Sequence, residues 1–225
     1  VVAMLGEGLY PADAAAALLI ELDGSAREVE VAAGLSERLC RAAGARQVRR
    51  ACTADDRNRL WQGRKSAISA LGRLYPSYYL HDGVVPRSRL PMVLAAIDAL
   101  AAGHGLPVAN VFHAGDGNLH PLILYDGSEP GVAERVKALA AAILDLCIEA
   151  GGSITGEHGV GADKRCYLDR MYGPADLALM QRVRSAFDPL TLANPGKLFP
   201  TPQTCGESLV RGRQLGVSDA LAQVF

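Results

Sequence analysis

The sequence is poor in aromatic residues and has no excess of either charge. Aromatics make up 5% of the chain, and 23 Lys and Arg residues stand against 24 Asp and Glu residues, for a formal net charge of −1. A nucleic-acid reader usually presents a basic stripe with interleaved aromatics, and the sequence has none. No apolar run approaches the ~18 residues needed to span a bilayer, and no signal peptide opens the chain. We therefore expect a cytoplasmic globular protein.

Cysteine is scarce, and its spacing suggests no pairing. The five cysteines are odd in number, widely scattered and without any Cys-x-x-Cys spacing: Cys40, Cys52, Cys147, Cys166 and Cys205. This pattern predicts reduced thiols rather than a disulfide framework or a zinc knuckle. Internal repeats are also lacking, and 225 residues suffice for one large domain or two small ones.

Apolar patterning predicts alternating strands and helices. The predicted strands are Ala17–Leu22, Gln47–Cys52, Ser77–Val85 and the two runs that flank Asp116-Gly117. The predicted helices are 26–45, 54–74 after an N-cap at Thr53, a helix from an N-cap at Ser88 to Ala102, 129–152, and Pro174–Phe187, with an irregular Pro-rich stretch over 188–202. This order predicts an α+β fold, an antiparallel sheet with helices on one face, like a duplicated ferredoxin-like unit.

Two histidines flank the Asp116-Gly117 turn signal. Asp-Gly between strand-like runs favours a two-residue type I′ hairpin turn, which needs positive φ at both central residues and by itself accounts for Asp116. Such a turn places His113 directly opposite His120, with Cβ atoms about 4.5–5.5 Å apart. Two neutral imidazoles so placed can share a Zn, Fe or Mn ion; an inert pair of surface histidines is an equally good interpretation.

A glycine-rich loop, GGSITGEHGVG over 151–161, carries a Glu-His pair. Glu157 completes a set of two histidines and one carboxylate, which leaves metal positions open for a substrate. Consecutive side chains point apart, so we expect His158 to face away from Glu157 and to act as a general base rather than a ligand. The alternative is a histidine that only hydrogen-bonds its own loop.

Three further groups offer contacts to a small acid, each with a plainer interpretation. Arg64, with Lys65 beside it, can clamp a carboxylate through paired hydrogen bonds, although such charges usually lie on a solvated helix face. Asn118 can donate to a substrate carboxylate or hydroxyl, but it also suits a turn. The Asn194-Pro195-Gly196-Lys197 segment is a turn signal first.

Taken together, the motifs resemble those of a known family. HAGDGNLHP, GGSITGEHGVG with Lys164 just after it, and DPLTLANPGKLFP are similar to the C-terminal half of FAD-linked 2-hydroxyacid oxidases and dehydrogenases, of the vanillyl-alcohol oxidase/p-cresol methylhydroxylase type. LLIELDG, LWQGRKSA and YYLHDGVVPRSRLP extend the resemblance from about Pro11 to Cys205 and are most similar to the flavoprotein subunits of bacterial glycolate oxidases.

The resemblance implies a role for each candidate residue. His113, His120 and Glu157 would hold a divalent metal that grips the substrate, and His158 would take the hydroxyl proton while hydride passes to the flavin. The remaining assignments are Arg64 to the substrate carboxylate, Asn118 beside the metal, and Asn194 and Lys197 against the flavin. Leu80 stands where relatives that use 2-hydroxyglutarate carry lysine, which implies a small, singly charged acid such as glycolate or D-lactate.

The resemblance also implies a domain plan and partners. Residues 1–200 correspond to the substrate (cap) domain, of ferredoxin-like α+β type, and 201–225 to a tail. The N-terminal domain that binds most of the FAD is absent, so we expect a fragment of a longer protein, inactive alone. Partners would be that FAD domain and other glycolate oxidase subunits, including an iron–sulfur one, which could hold the protein at the inner face of the cell membrane. A D-lactate dehydrogenase, a metal-dependent hydrolase and a non-catalytic interaction module are the alternatives.

Overall fold

A computed structural model describes residues 10–11 and 13–199. The chain divides into two compact units, Val1–Leu74 and Tyr75–Phe225. The tail expected over 201–225 lies outside the described residues. No helix within the described ranges is long and apolar enough to cross a membrane.

The first unit is helical, with α1 over Ala26–Ala42 and α2 over Ala54–Leu71. Ser25 and Glu28 form a capping box at the start of α1, and the Thr53 hydroxyl accepts from the Asp56 N–H at the start of α2. Both helices confirm the sequence prediction, because each begins at a side chain that satisfies an otherwise unpaired N–H.

The two strands predicted in this unit are wrong. Ala17–Leu22 and Gln47–Cys52 have no strand assignment, and Leu18 and Ile20 are 65% and 45% exposed. A strand needs a neighbour for its N–H and C=O groups. The described residues of this unit form no strand that could pair with them.

The described residues of the second unit form five short strands: β1 Ser77–Leu80, β2 Gly83–Val84, β3 Val108–Asn110, β4 Asn118–Leu119 and β5 Pro121–Tyr125. An antiparallel sheet has the order β1-β5-β3, and β2 pairs with β4. One register runs through both ladders, since Leu80 faces Leu122 in the first and Gly83 faces Leu119 in the second. The strand predicted over Ser77–Val85 is therefore present but interrupted at His81 and Asp82.

Up to residue 199 the second unit also has four α-helices: α3 Leu90–His104, α4 Val132–Glu149, the short α5 Leu168–Met171, and α6 Pro174–Phe187. The predictions of α4 and α6 are confirmed. The predicted N-cap at Ser88 is wrong, because Ser88 lies in a 3₁₀ turn, Arg87–Arg89, that leads into α3 without a side-chain cap.

The α+β class is confirmed. β1, α3, β3, β5 and α4 follow one another in the order of a ferredoxin-like unit, in which the fourth strand is reduced to a single bridge between Val84 and Ser153. Within residues 13–199 the strands make up one such unit, and the duplication stays a prediction.

The core lies between the sheet and the two long helices. Val93 and Ile97 of α3 and Val136, Leu139 and Ile143 of α4 pack with Leu119 and Ile123 of the sheet, all at most 1% exposed. Side chains alternate along a strand, so Asn118 and His120 project to the opposite face. That face carries the candidate site.

The cysteines depart from expectation at one position. Cys40, Cys52 and Cys147 are free thiols, as predicted. Cys166 is disulfide-bonded, so the prediction of five reduced thiols is wrong for this residue. Scattered spacing along a sequence does not report which thiols fold close together.

Candidate metal centre

The histidine-bearing segment forms a longer loop than the sequence predicts. His113 faces Asn118, not His120, so four residues, 114–117, connect the two arms. The predicted two-residue turn is wrong because a tertiary contact fixes the loop: the Val85 N–H donates to the Gly117 carbonyl at 3.0 Å. Gly117 has φ +74°, and a Cβ there would lie 2.1 Å from the Val85 oxygen.

The two histidines still lie together. The observed register differs from the predicted one by two residues, and a shift of two leaves every side chain on its original face. His113 and His120 become diagonal rather than direct neighbours, with ring centroids 5.4 Å apart and edge-to-face rings. The prediction that they share a face is confirmed, for a slightly different reason.

His120 is oriented by the main chain. Its ring is buried, and its Nδ1 lies 3.2 Å from the His81 carbonyl oxygen. A carbonyl can only accept, so Nδ1 carries the proton and neutral His120 presents a lone pair at Nε2. A hydrogen bond of this kind is the usual companion of a metal-binding imidazole.

Glu157 reaches the same point from the glycine-rich loop. One of its carboxylate oxygens lies 3.0 Å from His120 Nε2 and 4.0 Å from His113 Nε2. A lone pair and a carboxylate oxygen at this distance repel unless a cation, a proton or a metal ion, lies between them. The donor atoms of His113, His120 and Glu157 all lie within 4.8 Å of one another. Two imidazoles and one carboxylate fit Zn, Fe or Mn.

His158 does not point away from Glu157, so that prediction is wrong. Its Nε2 lies 3.7 Å from the Glu157 carboxylate, and its ring stacks on His120 with centroids 5.2 Å apart. The prediction assumed an extended loop. Instead the loop curls, because its successive N–H groups converge on one acceptor, Asp82.

The Asp82 carboxylate is fully buried and holds the loop. It accepts from the Thr155 hydroxyl at 2.6 Å and from the N–H groups of Gly156, Glu157 and His158 at 2.9–3.2 Å. Burial alone raises the pKa of Asp82. The hydrogen bonds and the Lys164 charge outweigh burial and hold that pKa well below its usual range.

Asn118 lines the same face, and an acceptor atom of its side chain lacks a partner. The residue is 6% exposed, and its Oδ1 is buried without a hydrogen bond to any described residue. The loop approaches it closely: a Cβ at Gly156 would lie 2.7 Å from Asn118 Cγ. An unsatisfied buried oxygen beside two imidazoles and a carboxylate is consistent with a ligand at this position.

A cavity of about 220 Å³ adjoins the proposed base. Its lining comes from the edge of β1 and from the loop after Glu157: Tyr79, Leu80, and His158 to Lys164. Leu80 and Val160 give it an apolar side next to His158.

The other predicted residues belong to other segments of the chain. Arg64 is on α2 in the first unit, partly buried, and its guanidinium pairs with none of the described residues. Asn194 and Lys197 are exposed in the segment after α6, where Asn194 adopts φ +46° and Arg165 donates to the Gly196 carbonyl at 2.7 Å. Their roles stay predictions.

The sequence motifs do not single out Asp82 or His81 as functional residues, although the position of Asp82 in a predicted strand is unusual. Aspartate is rare inside strands, so an Asp within the predicted strand SYYLHDGVV indicates a specific structural or functional role. The sequence analysis placed Lys164 just after the GGSITGEHGVG motif but predicted no role for it. It is 8% exposed, and its ammonium donates to the Asp82 carbonyl at 2.9 Å.

Comparison with known proteins defines the class. The family model for FAD-linked oxidases, C-terminal domain, matches residues 1–198, and the chain belongs to this family. The resemblance seen in the motifs is confirmed.

Three individual members of the family show which proteins the chain is similar to. The chain is 47% identical over 198 residues to glycolate oxidase subunit GlcD of Escherichia coli (strain K12), covering 88% of this chain and 40% of that protein. The GlcD of Bacillus subtilis (strain 168) is 41% identical over 189 residues, 84% of this chain and 40% of that protein. A probable mitochondrial D-lactate dehydrogenase of Danio rerio is 32% identical over 189 residues, 83% of this chain and 38% of that protein. The chain spans about two fifths of the length of these relatives.

Proposed function

We propose that this chain is the substrate-binding part of a flavin-dependent oxidoreductase that oxidises a small 2-hydroxy acid, with glycolate giving glyoxylate. The observation that carries the proposal is the convergence of the donor atoms of His113, His120 and Glu157 within 4.8 Å of one another, with His120 Nδ1 held by the His81 carbonyl. Membership of the FAD-linked oxidases and similarity to glycolate oxidase subunits favour this chemistry over a hydrolase or an interaction module.

Each residue has a defined task in this scheme. A divalent metal at His113, His120 and Glu157 would supply a Lewis acid for the substrate hydroxyl and carboxylate. His158 would take the hydroxyl proton at Nε2, and FAD, when bound, would supply the two-electron acceptor for the hydride of the hydroxyl-bearing carbon, so that the acid loses two electrons and two protons. Asn118 donates to the substrate, Arg64 binds its carboxylate, and Asn194 and Lys197 contact the flavin.

The substrate is small and singly charged in this proposal. Leu80 and Val160 give the cavity beside His158 an apolar side, and the Lys164 ammonium in the same lining is already bonded to Asp82, which favours a substrate without a second carboxylate. D-lactate is the second candidate, supported by the identity with a probable D-lactate dehydrogenase. A domain carrying most of the FAD, further glycolate oxidase subunits including an iron–sulfur one, and a cytoplasmic place at the membrane's inner face complete the proposal.

Metal content tests the centre directly. We expect near-stoichiometric divalent metal in the purified chain by mass spectrometry, and its loss in Glu157→Ala, because one of three ligands is removed. Glu149→Ala is the matched control, since Glu149 is exposed at the end of α4. A Glu157→Ala protein that retains full metal would contradict the assignment.

Turnover tests the substrate. In the flavin-containing protein, we expect glycolate to be oxidised faster than D-lactate, and His113→Ala and His120→Ala each to abolish activity while FAD stays bound. His104→Ala, in the last turn of α3, serves as control. Loss of flavin absorbance in the His113 and His120 variants would refute their role as metal ligands.

A further inference from the structure

Two adjacent residues at the interruption of one strand serve both halves of the metal centre. The His81 carbonyl accepts from His120, and the next residue, Asp82, accepts from the loop that carries Glu157 and His158. The strand assignment breaks at these two residues, although the register continues on either side. The two residues at this strand interruption therefore orient His120 on one side and the loop of Glu157 and His158 on the other.

Asp82 acts on the loop through backbone groups. Three consecutive N–H groups, of Gly156, Glu157 and His158, donate to one carboxylate, and the Thr155 hydroxyl joins them. Such a run of convergent N–H groups forms a concave anion site. With their N–H groups fixed, the Cα–Cβ bonds of Glu157 and His158 have little freedom, so both side chains start in the direction of His120.

Asp82, His120 and His158 form a second group of possible metal ligands, whose donor atoms also lie within 4.8 Å of one another. Four donors already occupy the carboxylate, and Lys164 Nζ lies 3.6 Å from its Oδ2. Three of these donors end on Oδ2, and the Glu157 N–H is shared between both oxygens at 3.2 Å, so Oδ2 has little capacity left for a cation and we assign Asp82 the orienting role.

Lys164 joins the far end of the loop to the same residue. Its ammonium donates to the Asp82 carbonyl, and its charge compensates the buried carboxylate. The Thr155 hydroxyl also accepts from the Gly159 N–H at 2.8 Å. The loop over 155–164 is therefore fastened to Asp82 at its start and at its end.

We propose that Asp82 is a positioning residue for the metal centre: its carboxylate sets the geometry of Glu157 and His158 by gathering the backbone of their loop, and metal affinity depends on it without direct ligation. This inference rests on the proposed function for the metal itself. The fastening of the loop can be measured without metal.

The main test is Asp82→Asn in the purified chain. The amide keeps the shape but turns an NH₂ group towards N–H donors, so the loop loses part of its anchor. We expect Zn²⁺ and Mn²⁺ affinity, measured by calorimetry, to fall about 10–100-fold, the usual effect of losing a group that orients a ligand. Hydrogen exchange at the amides of 156–158, measured without metal, should accelerate at least tenfold. Asp126→Asn is the control, because Asp126 also accepts a backbone N–H, in an exposed turn.

A second pair of variants guards against simple misfolding. Thr155→Val removes one donor to Asp82 and keeps the side-chain shape, whereas Thr155→Ser retains the hydroxyl. We expect weaker metal binding and faster exchange in the valine variant and near-wild-type values in the serine variant, with circular dichroism unchanged in both. Equal effects of valine and serine would show that the Thr155 hydroxyl does not link the loop to Asp82.

The outcomes separate the two proposals. Metal affinity within twofold of wild type in Asp82→Asn, with amide exchange unchanged, overturns the role of Asp82 and leaves the proposed function standing. If wild type binds neither Zn²⁺ nor Mn²⁺, the proposed metal centre fails and the dependence of affinity on Asp82 fails with it. Amide exchange then decides whether Asp82 positions the loop.

Discussion

A buried histidine, His81, lies beside the proposed metal ligands without being one of them. His81 is 1% exposed, its ring meets Tyr79 edge-to-face at 5.1 Å, and neither ring nitrogen bonds to a described residue. Burial and the nearby Lys164 charge lower the pKa of His81 to about 3, against a smaller opposing effect of Asp82. His81 is therefore neutral in the folded protein at any mildly acidic pH.

This burial predicts an acid-sensitive stability. The folded pKa lies below the unfolded value near 6.5, so the unfolded chain binds a proton that the folded chain excludes, and stability falls as pH drops from about 6.5 towards 3. His81→Phe keeps the ring and removes the titration. Between pH 7 and pH 5, the free energy of unfolding measured with urea should fall by about 2 kcal/mol more in wild type than in the variant. Parallel pH profiles for the two proteins would contradict the prediction.

For individual residues, the sequence predicted which side chains converge but not the hydrogen bonds that orient them. His113, His120 and Glu157 converge as expected, because a register error of two preserves the face of a strand. Asp82 could not be assigned, since its partners lie 73 to 76 residues further along the chain. For the same reason the orientation of His158 was mispredicted.

Among the structural elements, the loop between His113 and His120 requires glycine at one of its positions. Gly117 has a left-handed φ, and the Val85 carbonyl lies so close that a Cβ would collide with it. Gly115 in the same loop has neither constraint: its φ is not left-handed, and a Cβ there would meet open space. The two glycines of HAGDGNLH are therefore not equivalent.

We expect Gly117→Ala to lower the free energy of unfolding by about 2–4 kcal/mol, from backbone strain and displacement of Val85. Gly115→Ala should change it by less than about 1 kcal/mol, and can be stabilising because alanine restricts the unfolded chain. Urea denaturation of both variants provides the measurement. Equal losses would show that the Val85 contact does not determine the loop.

Helices were predicted better than strands for a physical reason. The apolar positions of α4 recur at steps of three and four and are buried in the structure, so its own sequence suffices to identify it. Ala17–Leu22 has an equally apolar sequence but no strand beside it, and pairing partners cannot be read from a single segment.

Over the whole molecule, burial is unevenly distributed. The main core draws its fully buried side chains from the second unit, on α3, α4 and the sheet, while α1 contributes none. Val31, Leu35 and Leu39 on α1 are 47–65% exposed despite their helical spacing. Apolar periodicity predicted the helix correctly there but not the burial of its face.

Two truncations should therefore differ strongly. Ile143→Ala, at 1% exposure, should lower the free energy of unfolding by about 2–5 kcal/mol through lost burial and a cavity. Leu35→Ala, at 47% exposure, should stay within about 0.5 kcal/mol of wild type. Denaturant unfolding followed by far-ultraviolet circular dichroism distinguishes them. Comparable losses would place α1 in a core of its own.

The acceptor that orients His120 is a main-chain carbonyl, which every amino acid carries. No side-chain replacement at position 81 can delete it, so we expect the Nδ1 hydrogen bond, and with it the direction of the proposed ligand nitrogen, to persist in any variant that still folds. Substitutions at His81 should then alter stability while leaving metal selectivity intact, and the centre has a built-in robustness to mutation on this side. On the side of Asp82, where the acceptor is a side chain, one codon change can remove it.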